Sequence, residues 1–369
     1  MISFQPSEEQ ALIRDTVAAF AREQVRPHAH EADESGSIPA DVVRQAWELG
    51  LVASAIPDTY GGAGDTRSVV TGALIAEELA WGDLSIALHL LAPRLIAYPV
   101  MEMGTAEQKE RLLNTFCGAS FTAGSAAVME PRFDFDLAAL TTTARRDNGT
   151  YVLNGQKCIV PLGHDAEHIL VYAHTGAPDG YAGVGGFLVD RGAAGLTISE
   201  REKNMGLKAL ATHEITLDNC RVAAANRLGG DAGCDFAKLM NYARVGLAAM
   251  AVGVARAAFE YARDYAKERR AFGVAIGQKQ AIAFMLAEMA LEVDATRLLT
   301  WEAAWKMDRG EEATREAYLA KTYAANMVLK VTDSAVQILG GHGYIREHPV
   351  ELWLRNGRGF SSFEGLVML

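Results

Sequence analysis

Three long amphipathic runs dominate the last third of this sequence, over about residues 234–267, 278–309 and 315–339. Apolar residues recur in them at helical spacing, and the breaks between them, Gly273–Gly277 and Arg309-Gly310, are short. A helix of that length cannot bury its apolar stripe alone, and short connections force neighbouring helices to run antiparallel. Residues 230–369 are therefore expected to form an antiparallel four-helix bundle.

Between about residues 120 and 229 the periodicity changes. Asp147-Asn148-Gly149-Thr150 separates the runs 140–146 and 151–160, and Asn-Gly supplies the positive φ values of a type I′ hairpin turn. Short apolar runs at 168–173, 184–189, 195–199 and 214–218 continue the strand pattern, which predicts a small β-barrel or sandwich. Residues 1–119 read as helices instead. Ser7, with Glu9 and Gln10 after it, marks the start of a helix that carries Leu12, Ile13, Val17 and Phe20 and is ended by Pro27. A second helix runs over 40–49, and two longer ones over about 66–81 and 84–102, the last kinked at Pro93. The expected fold is α+β and mostly α, in three domains: helical (1–119), β (120–229) and helical bundle (230–369).

The formal net charge of −11 argues against a nucleic-acid surface, which needs a basic footprint, so a polyanionic ligand would have to be held by local arginines and lysines. No GxGxxG follows a strand and no P-loop occurs, which disfavours Rossmann and phosphoryl-transfer chemistry. Cys117, Cys158, Cys220 and Cys234 are scattered, with no zinc spacing, and His28 and His30 are two apart, a poor metal geometry. Hence no metal is expected, and the cysteines fit free thiols in a reducing compartment. The N-terminal residues lack the build of a signal or transit peptide, and no window approaches the roughly 20 apolar residues of a membrane span. The expectation is a cytoplasmic protein with no membrane partner.

The chemistry concentrates at the end. In Arg355-Asn356-Gly357-Arg358-Gly359-Phe360-Ser361-Ser362-Phe363-Glu364-Gly365 one carboxylate follows an aromatic and precedes a glycine. Phe363 can desolvate Glu364, and Gly365 leaves room for a substrate to approach closely. A carboxylate of that kind suits removal of a proton from a very weak carbon acid, such as carbon next to a thioester. Taken with Gln337-Ile338-Leu339-Gly340-Gly341-His342-Gly343 and Glu268-Arg269-Arg270-Ala271-Phe272-Gly273, the order and spacing resemble the acyl-CoA dehydrogenase family.

That resemblance implies an FAD-dependent enzyme that desaturates an acyl thioester, with Glu364 as the base and FAD as hydride acceptor. It implies that Arg269, Phe272 and Gln280 reach the flavin of a neighbouring subunit, and that Gln337, Gly340 and Gly341 contact its adenine half. A homotetramer, or at least a dimer, follows from that sharing. Arg244 and Asn241, with Gly365, correspond to the thioester end of the substrate site. Family analogy also implies acyl-CoA as substrate and an electron-transfer flavoprotein or similar acceptor. His89 and Arg94 lie on the helix that lines the acyl tail in relatives, and helical spacing favours its outer face for both.

The pattern departs from the family around one ligand. Val128-Met129-Glu130-Pro131 stands where relatives carry a threonine before Glu-Pro, with Met129 at that threonine and Phe133-Asp134-Phe135 in place of small residues. Ile159 replaces a stacking tryptophan and Pro161 a threonine, so that Met129 and Pro161 together remove two hydroxyls from the flavin site. Leu366 replaces a third threonine, and the helix that follows it in relatives has no counterpart in this sequence. Two alternatives stay open: a non-catalytic partner subunit of a heteromeric dehydrogenase, or an enzyme acting on carrier-protein-bound acyl groups.

Overall fold

The computed structural model describes residues 5–64, 66–176 and 178–369. Helices α1 (Glu8–Phe20), α2 (Ala29–Ser35), α3 (Ala40–Glu48), α4 (Val69–Gly82), α5 (Leu84–Leu91), α6 (Arg94–Met103) and α7 (Ala106–Leu112) come first. Helix α1 begins with a capping box: Ser7 Oγ accepts from the Gln10 amide (3.2 Å) while Gln10 Oε1 accepts from the Ser7 amide (3.0 Å). Pro27 does not end this helix. A wider turn at Ala21–Val25 does, and Pro27 sits in the one-turn segment Arg26–His28 that leads directly into α2. Pro93 does more than kink a helix; it separates α5 from α6, which bend 42° apart.

Seven strands follow: β1 (Ser125–Ala127), β2 (Thr143–Asp147), β3 (Thr150–Pro161), β4 (His168–His174), β5 (Val184–Asp190), β6 (Leu196–Arg201) and β7 (Thr212–Ala223). They pair in the order β1-β4-β2-β3-β7-β6, with β5 also on β4, and curl into one sheet. Asn148 and Gly149 both have positive φ (43° and 83°), and Asp147 faces Thr150 across the ladder, so the hairpin turn is the one expected. Inside the curl, Tyr151, Leu153, Ile169, Val171, Phe187 and Ile215 form a small core of their own. Strand β1 is too short to show a period, yet all three of its residues are buried.

Helices α8 (Phe236–Glu268), α9 (Gln280–Asp308) and α10 (Thr314–Leu339) form the bundle. The hairpin β8 (Arg270–Ala271) and β9 (Val274–Ala275) joins the first two; after the turn α11 (Gly341–Tyr344), the short α12 (Val350–Gly357) packs on α10 and α8 as a fourth member. Helix α8 is the one described helix long and apolar enough to cross a membrane, but 78% of that stretch is buried in the protein. Its apolarity is core packing: α4 comes so close that a Cβ on Gly253 would lie 2.2 Å from the Glu77 carbonyl oxygen. One continuous apolar core therefore joins the N-terminal helices, the bundle and the outer face of the sheet.

Two polar joints fix these layers. Arg256 on α8 pairs with Glu77 (2.9 Å) and Glu78 (2.5 Å) on α4, and Arg297 on α9 also reaches Glu77 (3.0 Å). Asp308, the last residue of α9, accepts from Ser68 Oγ (2.7 Å) and from the amides of Val69 (2.5 Å) and Val70 (3.2 Å), satisfying free donors at the start of α4.

Candidate active site

A cleft of about 480 Å³ opens where the sheet, the bundle and the C-terminal segment meet. Glu364 lines it, delivered by a rigid local fold. The helical turn Arg358–Ser361 brings Phe363 under Gly359, where any Cβ would overlap the phenyl ring at 1.9 Å. Gly365 has φ +68° and packs on Val128, and the Glu364 amide donates to Met129 Sδ (3.4 Å). Phe363 is buried edge-on to Phe360. Glu364 Oε1 is paired with Lys321 Nζ at 2.8 Å, whereas Oε2 is buried and has no partner among the described residues.

Across the cleft, Arg244 on α8 is buried, donates to Tyr181 Oη (2.8 Å) and packs its guanidinium over the Tyr318 ring (5.5 Å). Its Nε has no protein partner among the described residues. Asn241 does not line the cleft; it joins Thr314 (2.8 Å) to Arg244 (3.5 Å) and so supports the arginine.

The sheet supplies the other wall through Met129, Glu130, Cys158 and Ile159. Glu130 accepts from the amides of Thr141 and Thr142, from Thr141 Oγ1 (2.7 Å) and from the buried Lys157 (3.1 Å). Burial alone would raise its carboxyl, but the Lys157 charge and these donors outweigh that and bring it down to about 2. Burial pulls Lys157 down to about 8 against the attraction of Glu130. Ile159 is held at φ +51°, in a bulge of β3 between Lys157 and Val160, with its amide on Glu202 Oε1 (3.1 Å). A β-branched residue in that region is strained.

The remaining sequence candidates lie elsewhere. Val128 packs on Gly365, and its carbonyl accepts from Lys157 (2.9 Å). Pro161 ends β3 with its carbonyl on Ser125 Oγ (2.6 Å). Arg269 and Phe272 are exposed between α8 and α9 and Gln280 at the start of α9, while Gln337 lies in the last turn of α10, Gly340 follows it and Gly341 opens α11; none of the six lines the cleft. His89 and Arg94 are not on an outer face. Arg94 is buried and donates to the Leu51 carbonyl (3.0 Å), and His89 stacks on Phe121. Neither lines the cleft, so neither places a charge beside a substrate there.

Sequence reasoning missed Lys321, Tyr318, Tyr181 and Arg132, which all line the cleft. Lys321 alone left a signal: it falls four residues after the buried Ala317 and three before the buried Ala324, on the inward face of α10.

A half-buried carboxylate, with one oxygen that has no partner among the described residues, stands on the seam between a curled sheet and a helical bundle and defines the site. The chain belongs to the acyl-CoA dehydrogenase family, FAD-dependent oxidoreductases of acyl thioesters. The family's N-terminal, middle and C-terminal domains match residues 7–119, 125–220 and 234–366. The chain is 38% identical to the cyclohex-1-ene-1-carbonyl-CoA dehydrogenase of Geobacter metallireducens, over 95% of this chain and 93% of that one. Its fold matches the butyryl-CoA dehydrogenase of Megasphaera elsdenii with a TM-score of 0.88 and 31% identity, covering 98% and 96% of the two chains. It also matches the prolyl acyl carrier protein oxidase AnaB, with a TM-score of 0.86, 29% identity and 97% and 96% coverage.

The residues present fit a planar flavin. Met129, Cys158, Ile159 and Phe135 give the cleft an apolar wall, and the unpaired Arg244 Nε and Glu364 Oε2 point to a further partner beside it. What relatives provide as hydroxyls is absent at Met129 and Pro161.

Proposed function

We propose that Glu364 is the general base of an α,β-desaturation of an acyl-CoA thioester. The observation that carries this is the free, buried Oε2 of a carboxylate whose other oxygen and backbone are both anchored. Oε2 takes the α-proton as the C–H bond breaks, and the Phe363 ring keeps water from the carboxylate. Arg244, on the opposite wall, orients the thioester end with Asn241 holding it in place. Gly365 leaves the approach to the α-carbon open. The β-hydride leaving as Cα and Cβ become doubly bonded would need an acceptor, which FAD would supply when bound, with a carrier such as an electron-transfer flavoprotein taking the two electrons onward.

Met129 and Ile159 would flank the ring from the cleft wall, the buried Val128 and Pro161 would support that wall, and Gln337, Gly340 and Gly341 would meet the adenine half. Arg269, Phe272 and Gln280 would serve a neighbouring copy in a homotetramer. Supporting that, Phe272 is 95% exposed, and α9 turns Phe284, Leu291, Leu298 and Trp305 outward at seven-residue intervals. Such a stripe is a helix-packing seam without a partner in the single chain. Four free cysteines support a reducing, cytoplasmic setting.

The test is anaerobic mixing of the FAD-loaded protein with saturated acyl-CoA thioesters. Wild type should bleach the flavin band, and E364Q should keep the band and lose the bleaching. Bleaching by E364Q at the wild-type rate would remove Glu364 from the role. A second reading, an acyl group on a carrier protein, is supported by the likeness to AnaB; faster bleaching with carrier-bound than with CoA thioesters would favour it.

A further inference from the structure

We propose that Lys321 is a positioning residue for Glu364: a charge latch that keeps the base ionised and aimed while the site is empty, and opposes its protonation during turnover. The inference rests on the reading of Glu364 as the base and adds a control on it. Lys321 Nζ holds Oε1 at 2.8 Å, and both side chains are largely buried (13% and 15% exposed). Removing either partner of so close and so buried a pair would leave the other charge without its counter-ion. The same contact fixes the rotamer, leaving Oε2 turned to the cleft.

The other charged groups that face Glu364 do not duplicate this. From α10 the only other titratable neighbour in the cleft among the described residues is Tyr318. From α8 comes Arg244, whose described side-chain bonds run to Tyr181 and Asn241. The sheet side presents Cys158 and Glu130, the latter already satisfied by Lys157 and the Thr141 and Thr142 amides. Arg132 and Asp136 belong to the loop after β1; Arg132 donates to the Ala139 carbonyl (2.6 Å) and lies 3.5 Å from Glu130. Lys321 is thus the only cation in an ion pair with the base among the described residues.

The pairing has a consequence for the reaction. When Oε2 takes the α-proton, Lys321 keeps its charge and loses its counter-ion in a largely buried place. The latch therefore aids the resting enzyme and resists the proton transfer, and removing it exchanges one for the other.

The experiment is a pH titration of the Glu364 carboxyl by infrared difference spectroscopy on the FAD-loaded protein. The carboxyl band is identified by its loss in E364Q. In K321M the band should persist to a higher pH than in wild type, because the paired cation is gone, while K321R should behave like wild type. The acid limb of kcat/KM should move in parallel. K321Q carries the same expectation as K321M and serves if the methionine variant does not fold. An unchanged midpoint in folded K321M or K321Q overturns the latch. A shifted midpoint with an unshifted acid limb upholds the pairing and instead overturns Glu364 as the base, so the two ideas fail separately.

Discussion

Gly365 and Val128 approach so closely that a Cβ on the glycine would stand 2.4 Å from Val128 Cγ2. The contact pins the residue after Glu364 to the strand side of the cleft, and φ of +68° makes glycine the natural occupant. We predict that G365A displaces Glu364. The left-handed backbone alone should cost about 1–3 kcal/mol, and a displacement near 1 Å should lower kcat about 100-fold. Flavin-bleaching rates and urea midpoints measured together would test this; a wild-type kcat in G365A would refute it.

Acid should find Glu130. Its carboxyl is brought to about 2 in the folded protein from an ordinary value of 4.5. The folded state thus binds the proton more weakly than the unfolded state. The associated stability is present above pH 4.5 and is lost as the pH falls through about 2. The loss should be on the order of 3 kcal/mol across that window. In E130Q the buried Lys157 is left without its counter-ion, so the variant should start several kcal/mol lower, about 3–5, yet show a flatter acid slope. Urea unfolding at a series of pH values decides the matter, and parallel curves for the two proteins would contradict it.

The joint between α9 and α4 should be measurable by itself. Asp308 serves three donors at the start of α4, so D308A should cost about 1–2 kcal/mol and D308N less, because the amide oxygen still accepts. Equal denaturation midpoints for D308A and wild type would show that Ser68 alone caps this helix.

Strain at the flavin wall gives a prediction of opposite sign. Ile159 sits at φ +51°, where a β-branched side chain is disfavoured and asparagine is tolerated. We expect I159N to raise stability by about 1 kcal/mol in the flavin-free protein. A fall of the same size would mean that packing of the Ile159 side chain outweighs the backbone strain.

Much of the fold was readable along the chain because it rests on local rules. The capping box at Ser7, the Asn148-Gly149 turn and the three bundle helices each follow from a few neighbouring residues, and each stands where expected. Strand β1 and helix α12 were not read: one is three residues long, the other eight, and both are held by distant partners. Pro27 and Pro93 were weighed as breakers, but the outcome at each depended on what the chain did next. His89 and Arg94 were placed outward by helical spacing, a rule that does not hold for helices covered on all sides.

The site divides in the same way. The sequence, through its resemblance to the family, singled out Glu364, where an aromatic-Glu-Gly stretch sets an apolar neighbour and a glycine on either side of one carboxylate. It also marked Met129 and Ile159, which line the cleft, and Pro161, which does not. Only the tertiary structure decided what surrounds that base. Lys321 is 43 positions earlier in the chain than Glu364, and Arg244, Tyr181 and Met129 come from three further segments. Charges at such separations carry no periodic or spacing signal. Their interaction exists only once the helices pack and the Gly365–Val128 contact closes the cleft, because Coulomb attraction and desolvation depend on distance in space and not along the chain.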